Sequence, residues 1–216
     1  MNNIIIFILI SLSLAFVYKL YTNPFKRAPK KMKSLQDNWK LIANEAANLP
    51  NNIVDAPVTH REQKDWVDDE AFSKLRDQFN DKSGWLYGWN ADSGGPNREW
   101  MNWGIIVNGQ PCGKNAELCP YTTELLTSIP GIKVAGFSMM MPRSKIYPHS
   151  DATGKEFGSM AYHLGLDCPN ECNMVIGNTN NGEKNGKTFI FDATDTHWAE
   201  NKSDNPRMIL YIDYEI

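Results

Sequence analysis

The chain carries four histidines, His60, His149, His163 and His197. His149 stands in Pro148-His149-Ser150-Asp151, so an imidazole and a carboxylate lie two residues apart. On extended chain, residues i and i+2 project to the same side. Both groups can then close on one metal ion. His197, in Asp195-Thr196-His197-Trp198, is a third donor from a distant segment. Two histidines and one carboxylate with open positions form the facial triad of non-haem Fe(II) oxygenases. Arg207 follows downstream. If Thr196–Glu200 and Arg207–Tyr214 fold as a hairpin about Lys202, His197 and Arg207 oppose each other across the ladder and share a face. Arginine offers a carboxylate a bidentate fork. A metal-chelating acid with a second, distal carboxylate would span the two, and 2-oxoglutarate has that shape. His60, beside Arg61-Glu62, reads as a surface residue.

The elements that must position these groups are short strands. From Ile132 onward the pattern predicts strands over Lys133–Met141, Lys145–His149, Ser159–Leu166, Cys172–Asn178, Lys187–Phe191, Thr196–Glu200 and Arg207–Tyr214. Turn-rich pieces separate them, at Pro169-Asn170, Asn180–Gly186 and Ser203–Pro206. Such spacing indicates a β-sandwich or barrel. Helices come first. Leu35, Trp39, Ile42, Ala46 and Leu49 recur at helical spacing until Pro50, and a second helix is expected from Asp68 or Asp69 to Phe79. A third starts at Pro120 and stops at Pro130-Gly131. Residues 81–115 read as a mixture of short strands and loops. The fold class expected is mainly β, a two-sheet jelly roll with helices packed against one sheet. The helical part is placed at 34–131 and the jelly-roll core at 132–216. Trp85, Trp89, Trp100 and Trp103 precede the core; packing is their default role, with one or two free to line a substrate site.

Several motifs carry a family resemblance, in order along the chain. They are Phe137-Ser138-Met139-Met140-Met141-Pro142, Tyr147-Pro148-His149-Ser150-Asp151, Tyr162-His163-Leu164-Gly165-Leu166, Phe189-Ile190-Phe191-Asp192, His197-Trp198-Ala199-Glu200-Asn201 and Arg207-Met208-Ile209-Leu210. Roughly residues 105–215 resemble the aspartyl/asparaginyl β-hydroxylase family, which includes bacterial lipid A acyl-chain 2-hydroxylases. The resemblance implies a double-stranded β-helix, Fe(II), and 2-oxoglutarate and O₂ as cosubstrates. It implies His149 and His197 as iron ligands, with Asp151 completing the triad. It implies Ser138 and Arg207 at the distal carboxylate of 2-oxoglutarate, and His163 near its metal-side carboxylate. Two departures stand out. The animal peptide hydroxylases have glycine where this chain has Asp151, so the carboxylate ligand is shared with the lipid A hydroxylases. The family arginine two positions before the histidine of His163-Leu164-Gly165-Leu166 is Ala161 here. The contact that arginine makes to 2-oxoglutarate is then either absent or supplied by another group, with Lys155, Tyr162 and Arg143 as candidates.

Composition bounds the rest. The chain has 216 residues and a formal net charge of −3. Residues 1–33 hold six basic side chains and no acidic one, leaving 16 basic and 25 acidic beyond them, a net of −9. An acidic main domain argues against a nucleic-acid partner. Ile4–Val17 is an uncharged apolar run that lacks a basic n-region before it and a small-x-small cleavage site after it. It reads as a single-pass membrane anchor over residues 1–21 rather than a cleaved signal peptide. Residues 22–33 then read as a solvated basic linker. The positive-inside bias places the main domain on the cytoplasmic side. Against this, Cys112 and Cys119 match a cysteine pair bridged in the animal peptide hydroxylases, which implies a lumen. Cys168 and Cys172 bracket a turn; two thiols four apart could bridge or chelate. Four reduced thiols and a four-cysteine zinc site are the alternatives. Asn201-Lys202-Ser203 would accept a glycan only in a secretory lumen.

The activity expected is hydroxylation of an unactivated C–H, first the β-carbon of peptidyl Asp/Asn. The alternative substrate is an acyl chain of a membrane lipid. The alternative class is a non-catalytic, metal-binding cupin-like module.

Overall fold

Alternating apolar residues in the second half of the chain build two facing sheets rather than one. The computed structural model describes residues 23–55, 69–89, 96–151 and 159–215. Eleven strands are seen among them: β1 (Leu86–Trp89), β2 (Pro96–Val107), β3 (Gln110–Pro111), β4 (Ile132–Met140), β5 (Ser144–His149), β6 (Ser159–Asp167), β7 (Cys172–Ile176), β8 (Thr179–Gly182), β9 (Thr188–Phe191), β10 (His197–Asn201) and β11 (Arg207–Glu215). The major sheet runs β1-β2-β4-β11-β6-β9, with β3 paired to β2, and the minor sheet runs β5-β10-β7-β8. All strand pairs are antiparallel. The chain crosses repeatedly between the sheets from β4 to β11, which is the topology of a double-stranded β-helix.

The seven expected strands match β4–β7 and β9–β11 to within about two residues, whereas β8 falls largely in the segment Asn180–Gly186 expected to be a turn. Two expectations need correction. Residues 34–131 are not only a helical part, because β2 joins the major sheet directly beside β4, with Gly104 facing Gly136. Its inward and outward residues alternate, and the run Trp103, Ile105, Ile106, Val107 is buried. Second, β10 and β11 do not form a hairpin. β10 pairs with β5 and β7, whereas β11 pairs with β4 and β6. The connection after Asn201 leaps between sheets. The Asn201 amide donates to the carbonyls of Met141 and Asn205, and its Oδ1 accepts from the backbone and hydroxyl of Ser203. A buried asparagine so engaged replaces a two-stranded turn by a strap. It also leaves no free amide for a glycan in the folded protein.

Five helices cover the outer face of the major sheet: α1 (Lys33–Asp37), α2 (Trp39–Ala47), α3 (Asp69–Asp77), α4 (Gly113–Glu117) and α5 (Pro120–Thr127). Asn38 (φ −103°, ψ 15°) breaks the first expected helix into α1 and α2. Leu35, Ile42 and Ala46 form its apolar stripe and pack against Trp103, Phe137, Tyr162, Leu164, Leu210 and Ile212. Fully burying one such aliphatic side chain contributes about 1.5–3 kcal/mol. The opposite face of the major sheet looks into the barrel, where Met140, Ala161, Phe189 and Phe191 meet Ile146, Met174, Ile176 and Ala199 of the minor sheet.

The segment expected to be a solvated linker is docked from Asn23 onward. Lys26 exchanges backbone hydrogen bonds with Ile190 at 2.8 and 3.0 Å, extending the exposed edge of β9. Phe25 packs edge-on against Phe189, with ring centres 5.2 Å apart, and Met32 is buried. Burying two apolar side chains and pairing a sheet edge outweighs solvation of the few lysines. Lys31 stays at the surface, donating to the carbonyls of Pro130 and Glu215. The apolar run Ile4–Val17 and His60 lie outside the described residues. Among the described residues, no helix is long and apolar enough to cross a membrane.

Candidate metal centre

The minor sheet brings the two predicted histidines together. His149 at the end of β5 and His197 at the start of β10 are direct cross-strand partners. Their ring centres lie 4.3 Å apart. Asp151 follows β5 and is tied back by its backbone N–H, which donates to the carbonyl of Ala193 at 2.8 Å. Its carboxylate oxygens stand 3.7 Å from Nε2 of His149 and 3.9 Å from Nε2 of His197. One donor atom from each of the three residues fits within 4.8 Å of the others. Among the described residues no other group of histidine, cysteine or acidic side chains clusters in this way.

Each imidazole is held in one tautomer. Nδ1 of His149 donates to the carbonyl of Tyr147, and Nδ1 of His197 donates to the carbonyl of Asp195, both at 2.8 Å. A carbonyl only accepts, so the proton sits on Nδ1 and each Nε2 presents a lone pair to the shared space. The side chain of His197 is buried, and burial holds its pKa below the usual imidazole range. Two neutral imidazoles and a carboxylate are the donors that a divalent transition ion takes. The residues therefore fit the metal expected from the sequence. Asp195 contributes here through its backbone carbonyl.

Trp100 of β2 stands at the rim of this cluster. Its ring centre is 6.4 Å from that of His149, and its Nε1 donates to Oγ of Ser138 at 2.8 Å. Trp85 and Trp103 instead pack edge-on in the helix-side core.

The other three predicted residues gather deeper in the barrel, on the major sheet. Ser138 (β4), His163 (β6) and Arg207 (β11) are all buried. Phe191 links the two groups, with its ring 5.2 Å from both His197 and His163. Arg207 thus faces the interior from the sheet opposite His197, not from the next strand of the same ladder. Its Nη1 donates to the backbone carbonyl of Ser138 at 3.4 Å.

Sequence reasoning missed three members of this interior. Glu183, in the predicted turn after β8, is buried with its Oε2 2.7 Å from Nε of Arg207 and its Oε1 2.8 Å from Nδ1 of His163. The arginine contact is a fully buried ion pair. Burial works to raise the Glu183 pKa, but the Arg207 charge and the His163 bond outweigh it and hold the carboxyl below its usual range. The other two are Tyr211 and Asp213, on the inner face of β11 that also carries Arg207. The Tyr211 hydroxyl donates to Asp213 at 2.6 Å. Burial, then the nearby Asp151 charge, pushes the Asp213 carboxyl up to about 7. Asp213 is the cross-strand partner of Ala161, the position where the family arginine is missing. Arg143 does not replace it, because it is exposed and paired with Asp204 at 2.8 Å. Nor does Tyr162, which packs into the helix-side core. Lys155 lies outside the described residues.

All four cysteines are free thiols. Cys112 packs with Phe79 and Val107, and Cys119 packs in the separate cluster around Trp103. Burial pushes both thiols up to about 12, which removes thiolate reactivity. Cys168 donates to the carbonyl of Met208, and Cys172 to Oδ1 of Asn201.

With this geometry in view, the relatives of the chain are informative. Residues 36–215 match the family model for aspartyl/asparaginyl beta-hydroxylase. The mouse aspartate beta-hydroxylase domain-containing protein 2 is 30% identical over 58% of this chain and 38% of its own length. The Rhizobium tropici ornithine lipid ester-linked acyl 2-hydroxylase is 29% identical over 53% of this chain and 41% of its own length. The matched region thus spans about two-fifths of each of these relatives. A solved structure from Burkholderia pseudomallei, described as an oxidoreductase of the 2OG-Fe(II) oxygenase family, gives a TM-score of 0.46 at 12% identity over 77% of this chain and 96% of that one. The family model covers both sheets, every helix after α1 and every residue of the metal cluster, and on that match the chain belongs to the aspartyl/asparaginyl β-hydroxylase family.

Proposed function

We propose that the protein is an Fe(II)- and 2-oxoglutarate-dependent hydroxylase of an unactivated C–H. The observation that carries this reading is the His149–Asp151–His197 cluster, with both Nε2 lone pairs and the carboxylate directed at one point. Iron(II) held there supplies activation of O₂ coupled to oxidative decarboxylation of 2-oxoglutarate. The chain's own groups do the positioning. The carbonyls of Tyr147 and Asp195 keep the two imidazoles in the ligating tautomer. Tyr211, bonded to Asp213, flanks Asp151 from within the barrel. Arg207, Ser138 and His163 are the cosubstrate residues in this reading, and Phe191 and Met140 wall the interior from water.

For the substrate, the acyl chain of a membrane lipid is the better reading. Besides the family description, a peptide is favoured by the Cys112/Cys119 match, and these thiols lie in separate core clusters. The complete carboxylate ligand and the acyl 2-hydroxylase relative support the lipid. So does the anchor read from Ile4–Val17. With Phe25 docked on the barrel, the four residues from Tyr21 to Phe25 reach at most about 14 Å. A peptidyl Asp/Asn β-carbon is the second reading, favoured by the family description.

The test is incubation of the full-length protein with Fe(II), ascorbate and 2-oxoglutarate, plus either lipid extract or Asp/Asn peptides. Succinate release with one added oxygen on an acyl chain is expected. Added oxygen on a peptide instead selects the second reading. No succinate above blank with either favours a metal-binding module without oxygenase activity.

A further inference from the structure

The two buried groups assigned to the two ends of 2-oxoglutarate, Arg207 and His163, are both already engaged by one side chain. Glu183 places one carboxylate oxygen 2.7 Å from Nε of Arg207 and the other 2.8 Å from Nδ1 of His163. Its side chain and that of Arg207 are 2% and 1% exposed, so water does not screen the pair. The consequences for an incoming carboxylate are electrostatic and directional. Arg207 and ionised Glu183 sum to no net charge. His163 spends its Nδ1 proton on Glu183, so its Nε2 offers a lone pair and no donor. Among the described residues, neither Ala161, which is apolar, nor Arg143, which is at the surface with Asp204, supplies another positive charge here.

Glu183 is held where it is by the backbone. Its N–H donates to the carbonyl of Cys172 at 3.0 Å, and the next turn lies across Gly165, whose carbonyl accepts from Gly186 at 2.8 Å. A Cβ at Gly165 would overlap the carbonyl oxygen of Lys184. The glycine of His163-Leu164-Gly165-Leu166 therefore lets this turn approach closely enough to insert Glu183.

We propose that Glu183 is a specificity-determining residue that stands in for the cosubstrate's distal carboxylate, so that this site distinguishes a dicarboxylate 2-oxo acid only weakly from a monocarboxylate one. The proposal rests on the 2-oxo-acid reading above. A 2-oxo acid is then held chiefly by its metal-chelating end, and the arm beyond gains little from an arginine already neutralised.

The experiment uses the full-length protein loaded with Fe(II) under argon, so that binding is read without turnover. 2-Oxoglutarate and 2-oxobutyrate, which lacks the distal carboxylate, are each titrated by calorimetry and by the fluorescence change of the tryptophans, Trp100 being at the site. The wild type is expected to favour 2-oxoglutarate by less than about tenfold. Glu183→Gln is expected to raise that preference by about tenfold or more, the worth of a regained charge-assisted hydrogen bond, entirely through tighter 2-oxoglutarate. Glu183→Asp, which keeps the charge, is expected to behave as the wild type. A wild-type preference above about a hundredfold, or an unchanged ratio in Glu183→Gln, overturns the proposal. The wild-type ratio decides even where the Gln variant melts too low to use. Binding of both acids with an unchanged ratio refutes Glu183 alone, whereas binding of neither acid to iron-loaded protein refutes the oxygenase reading with it.

Discussion

Arg207→Met isolates the buried ion pair. Methionine fills the arginine's length on the inner face of β11, beside Met140, its cross-strand neighbour. What it removes is the guanidinium 2.7 Å from Glu183, in a setting where both side chains are at most 2% exposed. Glu183 then keeps only the Nδ1 proton of His163. Breaking one partner of a buried pair costs about 3–5 kcal/mol, because the other charge stays desolvated. For a chain of this size each kcal/mol moves Tm by about 2–4 °C, so a drop of roughly 6–20 °C is expected. Replacing both residues, Arg207→Met with Glu183→Met, removes the uncompensated charge and should recover most of that loss. The coupling between the two sites is therefore about 3 kcal/mol or more, read by urea unfolding of the metal-free protein followed by far-UV dichroism. The pH dependence has a definite sign. Arg207 and His163 hold the Glu183 carboxyl below its ordinary range, so the pair stabilises above that range and the contribution is lost as pH falls into it. Arg207→Met should flatten that acid limb. A cost under about 1 kcal/mol, with additive single variants, would show a solvated pair and refute the argument for a neutralised anchor.

Three further outcomes are expected. Asp151→Ala should weaken Fe(II) binding by more than about a hundredfold in equilibrium dialysis, the upper range even for losing an outer partner; unchanged affinity would mean a two-histidine site. In the metal-free protein burial holds the Asp213 carboxyl up at about 7, whereas an unfolded aspartate ionises at about 3.9. Stability should thus fall as pH rises from about 4 to 7, by at most about 4 kcal/mol, and Asp213→Asn should abolish the slope in urea midpoints. Gly165→Ala should cost roughly 1–3 kcal/mol and speed amide exchange in the Glu183–Lys187 turn, because that turn must lift from β6; a neutral substitution would mean the turn is not seated on the glycine.

Local order was legible in the sequence. Period-2 alternation and turn residues located seven of the eight strands described from Ile132 onward, all but β8, since burial of one face leaves its mark in every second residue. Two helical segments followed from the spacing of Leu35, Ile42 and Ala46 and from Pro120 at a first turn, whereas the short helix Gly113–Glu117 did not. The His149-Ser150-Asp151 spacing is likewise a local fact, and His197 was the only partner its motif needed. What failed was pairing. The hairpin joining His197 to Arg207 assumed that neighbours in sequence are neighbours in a sheet. In a double-stranded β-helix consecutive strands change sheets, and the Asn201 strap, not a tight turn, carries the chain across.

Glu183 shows the limit most clearly. In the sequence it is one polar residue in an Asn- and Gly-rich turn, indistinguishable from a solvated one. Its partners are 20 residues before it and 24 after it. Only the closing of β6, β8 and β11 around one interior decides that this carboxylate is buried and paired. The docking of Phe25 on β9 has the same cause, because a basic stretch is soluble by composition until a sheet edge and an apolar pocket are there to receive it. The sequence by itself determined which residues have the chemistry to bind a metal and which strands carry them. The tertiary structure alone decided which charges share a dry interior, because desolvation is a property of the surroundings and not of the residue.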